Sequence, residues 1–463
     1  MSRIFAERAS SLQHANRMIY ESAAGHYGCR VSRRLIPLLV LAAVVGVVVS
    51  LAAWSFLELI HQIQVGLFTD LPEELGYHNG APAWFYIVVL GIAGLVTAAA
   101  IVRLPGDGGH VPAEGLKIGG DPVQPIELPG IILAAFATIG GGLVLGPEAP
   151  LIALGAGLGV FAIRSLKKDT PAEAQAVMAA AGSIAAMSLL FNSPIIAAVI
   201  LIEALGLDRE KLPLILLPGL LAAGIGSLIS IGMGSLTGLS TSAYALGTLT
   251  LPTLDQPALA DFAWTFLLAV GVAALTFAVL RLGLLVHVFA RRKPFLVLPA
   301  AAIVVALLAV LFQECTNKGI EEVLFSGQDA IVGLTTGAAS WSIGALLLVL
   351  LLKGLAWGIS LGNFRGGPTF PALFIGAAAG ILASHLPGFD LTAAVAVGMG
   401  AGAVSVLRLP LSCVVLASLL VSKSGAGSEP LIIVGVVVAY LVTTGLDRTV
   451  GAARDASPAT GTE

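Results

Sequence analysis

The chain has 463 residues, of which 57% are hydrophobic and only 11% charged, with a mean hydropathy of +0.97 and a formal net charge of -3. A soluble chain of this length would form about three domains and carry about 25% charged residues to face water. The composition therefore excludes a soluble protein. The lack of a basic stripe excludes a nucleic-acid binder, and the hydrophobicity excludes a disordered chain. Three widely separated cysteines, Cys29, Cys315 and Cys413, supply neither a disulfide framework nor a zinc pattern. What remains is an integral membrane protein with several spans.

Residues 1–35 are polar and basic, with Arg3, Arg8, Arg17, Arg30, Arg33 and Arg34 against Glu7 and Glu21. They lack the apolar core and small-residue cleavage site of a signal peptide. The first apolar run covers about 35–60, and the loop expected after it carries Asp70, Glu73 and Glu74 but no Lys or Arg. The positive-inside rule then puts residues 1–35 on the cytoplasmic side of a multi-pass protein of the cell membrane, and this loop outside. Basic loops at Arg164, Lys167 and Lys168 and at Arg291, Arg292 and Lys293 are expected on the cytoplasmic side. Further apolar runs lie at about 84–104, 128–145, 150–164, 174–190, 193–207, 212–235, 258–290, 296–313, 331–361, 371–386, 391–407, 409–422 and 431–446. A straight spanning helix needs about 20 apolar residues, and several of these runs are shorter and broken by Gly or Pro. They do not alternate polar and apolar as barrel strands do. The expectation is an all-α integral membrane protein with many tilted and broken helices. Its transmembrane domain covers 36–447, in halves of about 36–235 and 258–447. A short tail at 448–463 follows, with no soluble domain expected after it.

Short, Gly/Pro-broken segments in matching places of two halves mark the transport site of many carriers. Such a pair is present. Residues 141–159 align without gaps onto 362–380, an offset of 221, with seven identities: Gly141/Gly362, Gly146/Gly367, Pro147/Pro368, Pro150/Pro371, Gly155/Gly376, Ala156/Ala377 and Gly159/Gly380. Each copy is followed by a second Pro-led apolar run, Phe191-Asn-Ser-Pro194 and Leu407-Arg-Leu-Pro410. Gly-Pro-x-x-Pro before an apolar run is a helix start, because Pro fits the first turn, where its missing N–H is not needed. The residues after it present unpaired N–H groups and the positive end of the helix dipole. Two such starts meeting in the membrane make an anion site from backbone alone. The candidate contacts are Gly146, Glu148 and Ala149 in the first copy and Gly367, Thr369 and Phe370 in the second.

Ionisable residues inside a membrane mark function by default. Glu148 stands within the first helix start, where its carboxylate would compete with an anion for the same N–H groups. Protonation would remove the competition, making Glu148 a gate and proton carrier. The plain alternative is a carboxylate stabilised by the helix dipole; Thr369 occupies the matching place in the second copy, so the turn itself does not need an acid. Glu203, at the end of an apolar run, either relays protons or caps a neighbouring helix. Lys353 and Arg408 read as snorkelling or carbonyl-pairing cations. Arg365 precedes the second helix start and is a candidate for drawing anions to that mouth. His110 is a candidate titrating group at a pore entrance or an ordinary structural histidine, and Arg281 and His287 read as interfacial.

Together these features resemble the CLC family of chloride channels and proton/chloride exchangers, over about residues 36–447. The family's Gly-[Lys/Arg]-Glu-Gly-Pro motif appears as Gly146-Pro-Glu-Ala-Pro150, within Gly140-Gly-Gly-Leu-Val-Leu-Gly-Pro-Glu148. Its Gly-x-Phe-x-Pro motif appears, shifted, as Gly367-Pro-Thr-Phe-Pro371, and its Gly-Ser-Gly-Ile-Pro motif as Gly108-Gly-His-Val-Pro112. The resemblance implies a homodimer in membrane lipid, with one pore per subunit and two inverted halves, and it makes Glu148 the external gating glutamate. It also adds Gly109 and His110 to the anion site. Departures follow from the same motifs. Pro147 and Pro368 each remove an N–H, Gly109 stands where the family has a chloride-contacting serine, and Tyr440 lies too early to be the pore tyrosine. Glu203 matches the first of two successive acidic positions in exchangers, and Ala204 stands at the second, the internal proton glutamate.

The reading is passive or weakly coupled chloride transport gated by Glu148, because Ala204 carries no proton. A proton/chloride antiporter using another internal route is the alternative, and a fluoride-selective transporter is a third reading. An intramembrane lipid-modifying enzyme would need clustered acids, histidines or metal ligands, and the seven scattered histidines do not supply them. Neither enzyme activity, a cofactor nor a metal is expected.

Overall fold

The structure, a computed structural model, describes residues 36–78, 80–115, 121–166, 169–206, 212–237 and 247–455, with backbone only over 451–455. The basic segment 1–35, Lys167 and Lys168, and the tail from 456 lie outside the described residues. Fifteen helices follow in order: α1 (Ile36–Glu74), α2 (Ala83–Arg103), α3 (Pro125–Gly140), α4 (Glu148–Leu166), α5 (Ala172–Leu190), α6 (Pro194–Leu205), α7 (Leu212–Thr237), α8 (Leu259–Arg292), α9 (Pro294–Thr316), α10 (Gln328–Thr336), α11 (Ile343–Asn363), α12 (Thr369–Ala383), α13 (Leu391–Leu407), α14 (Pro410–Leu420) and α15 (Glu429–Asp455). Among the described residues, nine are long and apolar enough to cross a membrane, and α3, α6, α12, α13 and α14 are shorter. No β-strand forms among them, so the all-α expectation holds.

Three elements differ from the sequence expectation. The acidic residues Asp70, Glu73 and Glu74 are carried on helix, not loop. A π-helical turn at Gly66–Asp70 leads into Leu71–Glu74, where Pro72 sits in a first turn that does not need its N–H. Gly76, at φ 88°, then ends the run. The apolar stretch 331–361 is two helices, because Gly337 closes α10 and the Ser342 side chain accepts from Ala345 N–H at 3.2 Å to open α11. The last helix continues to Asp455, past the expected start of the tail.

The repeat is visible in how the helices cross. Gly155 of α4 lies on the backbone of Gly182 in α5, and Gly376 of α12, its repeat mate, lies on the backbone of Gly398 in α13. One turn on, Gly159 meets the Met178 carbonyl and Gly380 meets the Ala394 carbonyl. Lipid offers no hydrophobic drive for helices to associate, so contact depends on small residues that let backbones approach. The second pair of starts matches as well: Asn192 and Arg408, at φ 49° and 59°, make left-handed turns just before Ser193-Pro194 and Leu409-Pro410. Positive φ is uncommon for residues other than glycine, so the coincidence is specific.

At the centre, Gly146 and Gly367 form an antiparallel bridge, Gly146 N–H donating to Gly367 O at 2.8 Å and Gly367 N–H to Gly146 O at 2.6 Å. The chain segments leading into α4 and α12 thus run in opposite senses and the helices start head to head, the arrangement of an inverted repeat. Every residue of α12 from Thr369 to Ile381 is buried, as expected for a helix that is apolar all round. Large apolar side chains on α7, α8 and α9, such as Leu236, Leu267 and Leu296, stay exposed at the periphery, where lipid would cover them.

Candidate functional site

Each repeat builds its helix start by the same local chemistry. In the first, α3 ends at Gly140, Gly142 turns the chain at φ 88°, and residues 143–147 lead into α4. The ladder of α4 begins with Leu151 N–H donating to Pro147 O at 3.0 Å, and that of α12 with Ala372 N–H donating to Pro368 O at 3.3 Å. The N–H groups before those have no intrahelical acceptor. Pro150 and Pro371 have no N–H, so the free donors are those of Glu148 and Ala149 on one side and Thr369 and Phe370 on the other. Two helix dipoles point their positive ends into the space between them.

Glu148 fills that space. It is fully buried, and its Oε1 accepts a hydrogen bond from Thr369 N–H, the first donor of the opposite half. Its Oε2 has no protein partner. Gly146 and Gly367 make room for the carboxylate, since a Cβ at either position would run into it. The Phe370 ring covers Gly146 and packs 5.9 Å from Phe191, which precedes the second helix start of the first half. The structure thus brings together Gly146, Glu148, Gly367, Thr369 and Phe370, with Ala149 buried at the head of α4.

The remaining candidates sit elsewhere. Arg365 is 6% exposed; its Nε donates to Asp107 O at 3.1 Å and its Nη1 to Phe364 O at 3.2 Å, while its backbone N–H reaches Thr138 Oγ1 at 3.4 Å. It ties the Asp107 loop to the second helix start instead of standing open at a mouth. Gly109 lies against Ile131, His110 Nε2 is 3.1 Å from Gly115 O, and Gly108 packs against the Arg365 side chain. His287 Nδ1 is 2.7 Å from Gly362 O. Arg281 and Arg408 both bond Asp447, at 2.9 and 2.6 Å.

Glu203 ends α6 by capping α14. Its Oε1 accepts from Leu411 N–H at 2.9 Å, and its Oε2 accepts from Ser412 N–H at 2.7 Å and Ser412 Oγ at 2.6 Å. These are the unpaired donors of the second-half helix start. Glu203→Gln is expected to lower stability by about 0.5–2 kcal/mol, the range for losing a cap, and to leave the pH profile of ion flux in place. Thermal unfolding in detergent and flux measurements on the same sample check this; a displaced pH profile would make Glu203 a proton carrier.

One expectation is met, the pairing of Lys353 with backbone carbonyls, and one feature, the cavity beside it, escaped the sequence reading. Lys353, fully buried in α11, is bound by four successive carbonyls of residues 322–325, and its ammonium lies 4.4 Å from the Phe374 ring centroid. Beside it, Glu321, Glu322, Gln328 and Asp329 line a cavity that also includes His61 and Pro147. The acid pair Glu321–Glu322 after Asn317-Lys318-Gly319 was the available signal, since it interrupts an apolar region.

A helical membrane protein with inverted halves, whose broken helices start head to head around a buried carboxylate, has the architecture of an ion-transport protein. A family model described as voltage gated chloride channel matches residues 106–444. The chain belongs to that family, the CLC family of anion transport proteins. It is 31% identical over 360 residues to the ion-transport protein YfeO of Salmonella schwarzengrund, covering 76% of this chain and 81% of the relative. The match to YfeO of Salmonella paratyphi A is equally 31% identical, over 359 residues. Among solved structures, a slow cyanobacterial Cl-/H+ antiporter superposes with a TM-score of 0.69 at 21% identity, over 88% of this chain and 94% of the other. A CLC-type fluoride/proton antiporter superposes at 0.67 with 18% identity, over 89% and 96%. A eukaryotic CLC transporter does so at 0.67 with 17% identity, over 89% and 72%. At these identities the structures speak to fold alone.

Proposed function

We propose that this protein carries chloride or a similar small anion across the cell membrane, with Glu148 as the gate. The observation that carries the reading is the hydrogen bond of the Glu148 carboxylate to Thr369 N–H, across the junction of the two halves. An ionised carboxylate there occupies the donors that an anion needs. Protonation removes its charge, the charge-assisted hydrogen bond weakens, and an anion displaces the side chain. The anion is then held by the N–H groups of Ala149, Thr369 and Phe370 in two helix dipoles. No Lys or Arg traps it, so it leaves on the far side. Arg365, Gly109 and His110 form the wall of the pathway and not the anion's own contacts.

The subunit is one pathway built from halves of about 36–235 and 258–447, paired as a homodimer, with residues 1–35 on the cytoplasmic side. Transport is channel-like or weakly coupled to protons, because Ala204 replaces an internal acid and Glu203 is engaged as a cap. Proton antiport is the second reading, favoured by two structural neighbours described as proton antiporters, one of them for fluoride. Chloride-loaded liposomes holding the purified protein decide between them when chloride release and external pH are recorded together. Release without uphill proton movement is the expected result. Uphill proton movement would make the protein an antiporter, and failure to release any halide would overturn anion transport.

A further inference from the structure

A cavity of about 660 Å³ adjoins the site on the side of the protein where α1 and α9 end. Val65 and Phe68 of α1, Gln313 of α9 and the start of α10 enclose it, and Pro147, the residue before Glu148, is part of its lining. Three carboxylates line it as well. Glu321 and Asp329 are exposed, whereas Glu322 is set deeper and its Oε2 is buried with no protein partner. Gln328, also in the lining, is 7% exposed, and its amide nitrogen has no acceptor in the protein.

Lys353 holds the turn that carries Glu322. Its ammonium donates to the carbonyls of Glu322, Val323, Leu324 and Phe325 at 3.0, 3.3, 3.1 and 3.4 Å. Those bonds spend its donors on backbone, so the cavity is lined by three carboxylates with no cation free to welcome an anion. Such a lining repels anions and gathers protons. A space of this size with these polar groups in its wall accommodates a chain of hydrogen-bonded waters, with Glu322 and Gln328 as anchors.

We propose that this cavity is the proton port of Glu148: protons enter past Glu321 and Asp329, are held by Glu322, and pass through cavity water beside Pro147 to the Glu148 carboxylate. The proposal rests on the gating reading of Glu148. Only O–H bonds change: Glu322 takes a proton from water, returns it to the water chain, and that chain protonates Glu148. The titratable groups that share its cavity or act on its charge are His61 of α1, Tyr86 of α2, Lys318 and Glu321 of its own turn, Asp329 of α10 and Lys353 of α11. Burial pushes its carboxyl up to about 7, against Lys353 and Lys318, which lower it, and with Glu321, which raises it. Glu322 therefore takes and releases protons near neutrality, as a relay must.

The test is the rate at which chloride flux relaxes after an acid step on the cavity side of oriented proteoliposomes. The relaxation is normalised to its own final flux, so that expression and stability drop out. Glu322→Gln is expected to slow it about a hundredfold, the lower end of the range for losing a positioned proton-transfer group, and Glu322→Asp to restore most of it. Relaxation at wild-type speed in Glu322→Gln overturns the port. Should that variant carry no flux at acid pH, Gln328→Met serves in its place, with slowed relaxation expected and wild-type speed again overturning the port. Glu148→Gln, run in parallel, separates the two readings. If it abolishes the pH response while Glu322→Gln relaxes normally, the port alone fails. If it keeps the wild-type response, the gate fails and the port with it.

Discussion

Glu148→Gln and Glu148→Ala are expected to carry anions at a rate that no longer depends on pH. In the wild-type protein flux should rise as pH falls, because protonation releases the carboxylate from Thr369 N–H. A one-proton gate changes its open fraction about tenfold per pH unit on the alkaline side of its pKa, so across two such units the variants and the wild type should differ by about a hundredfold. The two substitutions separate charge from occupancy. Glutamine keeps an oxygen near Thr369 N–H but loses the charge that makes the bond strong; alanine empties the space and leaves the donors to the anion. Alanine should therefore give the larger flux. Chloride efflux from liposomes at a series of external pH values measures both. Wild-type pH dependence retained in the two variants would remove Glu148 from the gate and leave it as a helix-start carboxylate stabilised by the dipole.

Gly376→Val is expected to prevent α12 from packing on α13 within the second half. A Cβ at this position meets the backbone of Gly398 and lies 2.9 Å from Met399 Cα, where no side chain can turn aside. Ordinary overpacking costs about 1–3 kcal/mol because neighbours adjust. Here the obstacle is main chain inside α13, all of whose residues from Thr392 to Leu407 are buried, so the cost exceeds that range. Since α12 carries Thr369, the same wedge also displaces the donor that meets Glu148. Gly155→Val should behave alike, as its Cβ meets the backbone of Gly182 and stands 2.8 Å from Ser183 N. Gly271→Ala, in α8, meets nothing within 4 Å and should be neutral. The yield of monodisperse protein in detergent and its unfolding temperature are the measurements. Normal yield of both valine variants would show that the helices do not cross at these glycines.

Much of this architecture was legible because its signals are local. A charge fraction of 11% leaves a chain of this length no way to face water. Gly146-Pro-Glu-Ala-Pro150 and Gly367-Pro-Thr-Phe-Pro371 announce helix starts through the backbone chemistry of proline alone, and their fixed offset announces a repeat. The same periodicity could not divide the 331–361 stretch, since a turn capped by Ser342 between two apolar helices reads as one apolar run. Nor could it place Arg365, whose guanidinium looked free until the Asp107 carbonyl was found beside it.

What the sequence determined by itself, then, was a helical membrane protein of two related halves, with a carboxylate at one helix start. The tertiary structure alone decided where that carboxylate goes. Nothing within α4 requires Glu148 to reach Thr369, 221 residues away; the antiparallel bridge of Gly146 and Gly367 puts the two starts head to head, and only then does the side chain of one half meet the first donor of the other. Glu203 on the start of α14 and Glu322 above Lys353 follow the same rule. Propensity and patterning act over a few residues, whereas the partner of a buried charge is chosen by packing between segments distant in the chain.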